Sequence, residues 1–490
     1  MTLGDDARRA PLFYTLLYGS PTLLPAMLAP VPRRACSSTC SLQALRAAPK
    51  ASLCTGTLYN STRPSFVTAS ASASYPSSVS LYISSRQSFH STPRTDSSQQ
   101  SRISYRVAVS SSGKGKRFHP LKNAYNFDPA ISDVLGVSTD KNPVARRRSR
   151  PDSGEDAFFV SRVGYGSESE SKSSPDGNRT PTSRDQPDPE AVAFAVADGV
   201  GGWTESRVDP ADFSHGLCAY MAQSALSWTL PAEQLRPKQL LQAGYDAIVA
   251  DPSVKAGGST ASVGVALPDG RVELANLGDS GSVLLRRAAV HTYSTPQTHG
   301  FNTPYQLSII PPRMRAQANI FGGAFLEDFP HDASVTNVQM QHGDVLMLAT
   351  DGVFDNLNNQ DILKLVTSRM VMTGAWTAEP EQGVGISDSL RSLTVPGGLA
   401  SAFPPPAAAA NSKESKDLDR IESTLTLQSL LAASISGEAK IASVDFRRDG
   451  PFAKEAQRYY PGDYYRGGKV DDITTLILVA VDEAVVGNGQ

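Results

Sequence analysis

Cysteine is scarce. The 490 residues contain four: Cys36, Cys40 and Cys54 near the N-terminus, and Cys218 alone thereafter. A disulfide framework is excluded, and most of the chain has no thiolates for a zinc or iron–sulfur site. A large net charge is also missing. With 46 basic and 48 acidic residues the formal charge is −2, so composition draws the chain neither to nucleic acid nor to an anionic membrane. Long apolar runs are absent. The best, residues 12–28, is short for a span and is interrupted by Pro21 and Pro25, so no stable membrane insertion is expected. Acidic residues are lacking between Asp6 and Asp96, a stretch that holds Arg8, Arg9, Arg33, Arg34, Arg46, Lys50, Arg63, Arg86 and Arg94 among many serines. Basic, serine-rich and acid-poor is the composition of an organelle transit peptide, so residues 1–100 read as a disordered targeting tract. A phosphate-cradling P-loop is missing too. Gly257-Gly258-Ser259-Thr260 is followed by no Gly-Lys-Ser/Thr and opens a strand.

What is present is a repeated design. Phe194-Ala195-Val196-Ala197 runs into Asp198-Gly199-Val200-Gly201-Gly202-Trp203, a short buried strand closed by a turn. Asp-Gly alone is above all a turn dipeptide. Here it recurs: Val345-Leu346-Met347-Leu348-Ala349-Thr350 ends in Asp351-Gly352, and Leu274-Ala275-Asn276-Leu277 ends in Gly278-Asp279-Ser280-Gly281. In Gly154-Glu155-Asp156 and Gly468-Lys469-Val470-Asp471-Asp472 the carboxylates precede a strand instead. Five carboxylate clusters at strand ends suit hard divalent cations, which take oxygen ligands, and a glycine beside the acid lets a backbone carbonyl approach the same ion.

Between these clusters lie ordinary structural signals. Asp209 and Pro210 open a helix with Phe213, Leu217, Tyr220 and Met221 on one face, and a second helix is predicted near 238–250. Pro268-Asp269-Gly270 marks a hairpin turn, and strands joined by tight turns argue an antiparallel sheet. Further helices are predicted over 361–370 and 421–433, and a last strand from Ile473. Residues 164–190 and 374–415, rich in Ser, Pro and Ala, read as exposed low-complexity insertions, and 484–490 as a tail. Asp355 reads as a turn residue and Asp361 as a helix cap. Arg146, Arg147, Arg148 and Arg150 read either as a solvated loop or as a phosphate-recruiting run.

The ordered set Gly-Glu-Asp, Asp-Gly-Val-Gly-Gly-Trp, Gly-Gly-Ser-Thr-Ala, Gly-Asp-Ser-Gly, Thr-Asp-Gly-Val-Phe-Asp and Asp-Asp-Ile-Thr resembles the metal-dependent PP2C-type Ser/Thr protein phosphatases. It is most similar to their PTC7-like mitochondrial branch, as is the run from His299 to Leu307. The resemblance spans about residues 104–483 and implies an α+β fold, an α/β/β/α sandwich of two antiparallel sheets flanked by helices. It implies hydrolysis of phosphoserine and phosphothreonine in proteins by a water activated at a centre of two Mn2+ or Mg2+ ions. By the same matching Asp198 bridges both ions, the Gly199 carbonyl binds one, and Asp351 and Asp471 hold the ion paired with Asp198. Glu155 and Asp156 act through water, and Asp279 with Asp351 holds a weaker third ion. Mitochondrial targeting, to the matrix, is implied as well.

Two departures matter. The commoner pattern has an Arg four residues before the Glu, where Pro151 stands, so Arg150 is one position off as a phosphate ligand. It also has a His after Asp-Gly as acid for the leaving group, where Val200 stands, leaving His299 as a candidate acid. A rival reading from these departures is a pseudophosphatase that binds phosphoproteins without turnover.

Overall fold

Strand alternation sets the layers of this protein. In the computed structural model, which describes residues 102–140, 142–164, 191–321, 325–379, 383–402 and 424–484, Val192, Phe194 and Val196 face one core while Ala193, Ala195 and Ala197 face another. A period of two on a strand buried on both sides produces this split. The alanines let a helix approach closely, and the larger residues fill the space between two sheets. The targeting tract 1–100, the insertion at 164–190 beyond its first residue, and 485–490 lie outside the described residues, all of which fall in one unit that includes Gln99–Gln490.

Twelve strands build the two sheets. They are β1 (Ile103–Ser112), β2 (Ala124–Phe127), β3 (Val134–Leu135), β4 (Asp156–Arg162), β5 (Val192–Asp198), β6 (Ala261–Ala266), β7 (Arg271–Leu277), β8 (Gly281–Arg286), β9 (Ala289–Tyr293), β10 (Ser334–Gln339), β11 (Val345–Ala349) and β12 (Ile473–Asp482). One sheet has the order β9-β8-β11-β12-β1-β2 and the other β10-β7-β6-β5-β4-β3, with antiparallel pairing throughout. The expected β6–β7 hairpin turns at Asp269–Gly270, where Gly270 N–H donates to the Leu267 carbonyl.

The sheets face each other across Val107, Val109, Phe158, Phe194, Leu346, Leu348, Leu476 and Leu478. The Pro210–Leu226 and Pro237–Ala250 helices cover the outer face of the β5 sheet. The Asn359–Met372 and Leu427–Ser443 helices cover the outer face of the β11–β12 sheet. The result is the expected α/β/β/α sandwich. Helix starts follow their caps. Asp209 accepts from Ala211 N–H ahead of Pro210, and Asn358 accepts from the N–H groups of Gln360 and Asp361. Thr426, capping with Ser429, moves the start of the late helix to Leu427, several residues beyond the predicted 421.

One expectation fails. The stretch 374–415 is not a surface insertion over its described part. Trp376–Glu379 pairs with Gly383–Ile386, short helices follow at Leu390–Leu393 and Gly398–Ala402, and Trp376, Leu390, Leu393 and Leu399 are buried in the core beneath the β11–β12 sheet. The indole N–H donates 3.1 Å to the Gly343 carbonyl. Four well-spaced anchors suffice to bury a segment whose average composition is small and polar. Residues 403–415 lie outside the described residues.

Candidate active site

Antiparallel pairing brings the carboxylates together. β5 ends at Asp198 where its neighbour β4 begins at Asp156, and the register sets these two residues opposite each other. In the facing sheet β11 ends just before Asp351 where β12 begins just after Asp471 and Asp472, with Ala349 opposite Thr475. Both sheets thus deliver acids to one edge. The edge is stitched across the layers. Thr350 Oγ1 donates 2.8 Å to Asp156 Oδ2 and accepts the Thr474 N–H at 3.1 Å. Asp472 accepts 2.8 Å from Glu155 N–H and also from Lys114 N–H.

Backbone geometry admits these contacts only with glycine at two points. Gly154 has φ +75°, and a Cβ there would collide with the Asp472 carboxylate. A Cβ on Gly199 would lie 2.8 Å from the Glu155 carbonyl oxygen. The Gly199 N–H donates to that same carbonyl at 3.2 Å. Asp198 is pinned by its main chain: its carbonyl accepts from Thr260 N–H and Ser259 Oγ, and its N–H donates to Thr260 Oγ1.

Crowding of acids shows in their protonation. Burial first, then Asp351, Asp156, Asp471 and Asp279, push Asp198 well above the ordinary carboxylate range. Burial and the Asp351 charge raise Asp279 to about 7, and burial with Asp472 and Asp471 raises Glu155 to about 7. Asp351 goes the other way. Burial raises it, but the Lys469 ammonium outweighs that and holds it below its usual value. Asp351, Asp355 and Asp471 present oxygens within 4.8 Å of one another, a set that could hold a metal ion. Asp279 Oδ1 is buried with no hydrogen-bond partner. Oxygen-only donors, mutual repulsion and an unsatisfied carboxylate oxygen fit a hard divalent cation. Beside the cluster opens a 310 Å3 cleft lined by Asp279, Asp351 and Asp355 together with Tyr293, Phe301, Phe354 and Phe452.

Two expected residues are engaged elsewhere. The Arg150 guanidinium bonds Asp212 at 2.5 Å and Asp209 at 3.3 Å. With Arg146 and Arg147 it lines a separate small pocket whose walls include none of the clustered acids. His299 Nε2 sits 3.0 Å from both oxygens of Asp328 and its ring stacks on Tyr305, so it braces the loop instead of facing the cleft.

Two residues of the cluster were not among the expected site residues. Asp355, read as a turn, is half-buried beside Asp351, because a single helical turn (Asp351–Phe354) separates them and aligns positions four apart. That spacing was the available signal. Lys469 reaches in from the Gly468-Lys469-Val470-Asp471 run, and only the tertiary fold shows where its side chain ends.

A family model described as protein phosphatase 2C matches residues 182–391. The chain is 34% identical over 291 residues to "Protein phosphatase 2C homolog 7, mitochondrial" of Saccharomyces cerevisiae, covering 59% of this chain and 76% of that protein. The chain belongs to the protein phosphatase 2C family. Identity is 30% over 296 residues to "Protein phosphatase PTC7 homolog" of Xenopus laevis, covering 60% of this chain and 78% of that one. It is 29% over 376 residues to "Protein phosphatase PTC7 homolog fig" of Drosophila willistoni, covering 76% and 90%. The chain is therefore a PTC7-like protein-serine/threonine phosphatase. In this phosphatase Glu155, Asp156, Lys469 and Asp471 lie outside the stretch matched by the family model, yet β4 and β12 carry them to the edge where Asp198 and Asp351 lie.

Proposed function

We propose that the phosphatase hydrolyses phosphoserine and phosphothreonine in proteins with two divalent ions, Mn2+ or Mg2+, at the edge shared by its two sheets. The observation that carries this reading is the meeting of Asp156 and Asp198 from one sheet with Asp351, Asp471 and Asp472 from the other, beside an open cleft. Asp198, the Gly199 carbonyl, Asp351 and Asp471 would hold the ions. Glu155 and Asp156 would act from one shell further out, where Thr350 and the Asp472 contacts orient them. Such ions, when bound, supply a water of lowered pKa and neutralise the phosphoryl oxygens.

The chain's own residues do the rest. The Ser259 hydroxyl and the Thr260 N–H fix the Asp198 main chain before any ion arrives, so little reorganisation accompanies binding. The aromatic cleft next to Asp351 gives a phosphopeptide an apolar wall and keeps the leaving side chain near the acids. His299, held by Asp328, is not placed to protonate the leaving alkoxide.

Mitochondrial residence, in the matrix, is part of the proposal. It rests on the acid-poor tract before residue 96 and on the yeast relative's name. No helix among the described residues is long and apolar enough to cross a membrane. The test of activity is hydrolysis of a phosphothreonine peptide by the full chain, with EDTA and then with added Mn2+. Loss and recovery are expected. Folded protein inactive with every divalent ion would replace hydrolysis by phosphoprotein binding alone.

A further inference from the structure

The acid cluster already contains a cation. Lys469 Nζ lies 2.7 Å from Asp351 Oδ2, 2.6 Å from Asp355 Oδ2 and 3.1 Å from Asp471 Oδ2, the same three carboxylates that could hold a metal ion. Its placement is built, not incidental. Buried Asn356 clamps the lysine's main chain: its amide donates 2.9 Å to the Lys469 carbonyl and its oxygen accepts 2.9 Å from the Lys469 N–H. The same amide also donates to the Gly352 carbonyl, which ties the lysine to the helical turn carrying Asp351 and Asp355. The ammonium further lies 4.9 Å from the centre of the Phe452 ring, a cation–π contact.

We propose that Lys469 is a tethered cation that takes the place of one divalent ion at the Asp351–Asp355–Asp471 end of the cluster. The inference rests on the two-ion reading above and alters the third-ion expectation for Asp279. An ion shared by Asp279 and Asp351 would approach oxygens already neutralised by an ammonium, and like charge repels it. The lysine engages Oδ2 of both Asp351 and Asp471, while Asp471 Oδ1 accepts the Asp472 N–H at 3.1 Å and lies 3.4 Å from Lys114 Nζ; the second oxygen of Asp351 is left for an ion shared with Asp198. The tether also holds the acids together without metal, which mutual repulsion would otherwise drive apart.

The experiment counts Mn2+ bound to the metal-stripped full chain by electron paramagnetic resonance, for wild type, Lys469→Met and Lys469→Arg. Lys469→Met should bind one more Mn2+ per chain than wild type, and Lys469→Arg should keep the wild-type count. The metal-free melting temperature of Lys469→Met should fall and recover with Mn2+. Equal, non-zero counts in wild type and Lys469→Met would overturn the tethered-cation role alone. No bound Mn2+ in either would overturn the two-ion reading and this role together. If Lys469→Met does not fold, Asp279→Asn decides: an unchanged ion count supports the displacement of an ion from Asp279, and a count lowered by one overturns it.

Discussion

Asp156 and Asp198 face each other across adjacent antiparallel strands, the first residue of β4 opposite the last of β5. Like charges directly opposite in a sheet are destabilising. The protein keeps the pair at the point where its two sheets converge, with Asp156 buried and given a hydrogen bond from the facing sheet's Thr350. Such a pairing has no packing rationale, and it explains why the acids gain from a cation and why the fold must be stiff enough to hold them without one.

Replacing one member of the pair should therefore separate stability from function. In Asp198→Asn the repulsion among Asp198, Asp156 and Asp351 is relieved, and the metal-free melting temperature should rise by about 2–4 °C. Phosphopeptide hydrolysis should fall by at least about a hundredfold, since a carboxylate proposed to hold the ions is gone. Calorimetry and a phosphate-release assay on the same preparation check both. Substantial retained activity would sink the assignment of Asp198.

The stitch between the sheets has its own consequence. Thr350→Val keeps the shape of the side chain but removes the bond to Asp156 and the acceptor for Thr474 N–H. Two buried groups are left unpaired, at a cost of about 2–3 kcal/mol. Urea unfolding of the metal-free protein measures it, and Thr350→Ser should recover most of the loss. A Thr350→Val midpoint equal to wild type would mean that the cross-sheet bridge contributes nothing.

How much of this was visible in the sequence follows from what each residue depends on. Asp198 and Asp351 were legible because an apolar strand running into Asp-Gly is a local pattern. The sandwich was legible only in part, since strands and flanking helices leave a periodic trace but strand order does not. Asp355 was missed although its four-residue spacing from Asp351 on a helical turn was there to be read. Lys469 was missed for a physical reason: its role depends on where β12 lies relative to β11, and no local preference encodes that. Arg150 and His299 went the other way: their motif neighbourhood suggested chemistry, while Asp212 holds Arg150 in an ion pair and Asp328 holds His299 through hydrogen-bond contacts. Charge partners distant in sequence decide which ionisable residues are available for chemistry.

The segment mistaken for an insertion gives a direct check on burial. Trp376 is 1% exposed and bonds to Gly343, so Trp376→Ala should cost about 3–5 kcal/mol. An equilibrium denaturation curve measures it. A loss below about 0.5 kcal/mol, the range of surface changes, would return the segment to the surface.

Acid stability supplies the last test, because two sets of groups pull in opposite directions. His215 is buried with Nε2 unpartnered, and burial, then Arg150, lower its imidazole from 6.5 to about 3. Below pH 6.5 the unfolded chain takes a proton there that the folded chain refuses until about pH 3. Its contribution is complete above pH 6.5 and is lost as pH falls, at about 1.4 kcal/mol per unit. Asp279 and Glu155, raised to about 7 in the metal-free fold, behave conversely. Folded protein binds their protons first, so they favour the fold increasingly as pH drops from 7 toward 4. Wild-type stability alone would mix these effects. The difference between wild type and His215→Gln isolates the imidazole, because the carboxylates are common to both. Between pH 7.5 and pH 4.5 that difference should move against wild type by about 2–3 kcal/mol, read from urea midpoints of metal-free protein. A difference that stays flat would show that the folded protein protonates His215 as readily as the unfolded chain does, and that the pocket behind the Gly154–Asp156 turn is open to water.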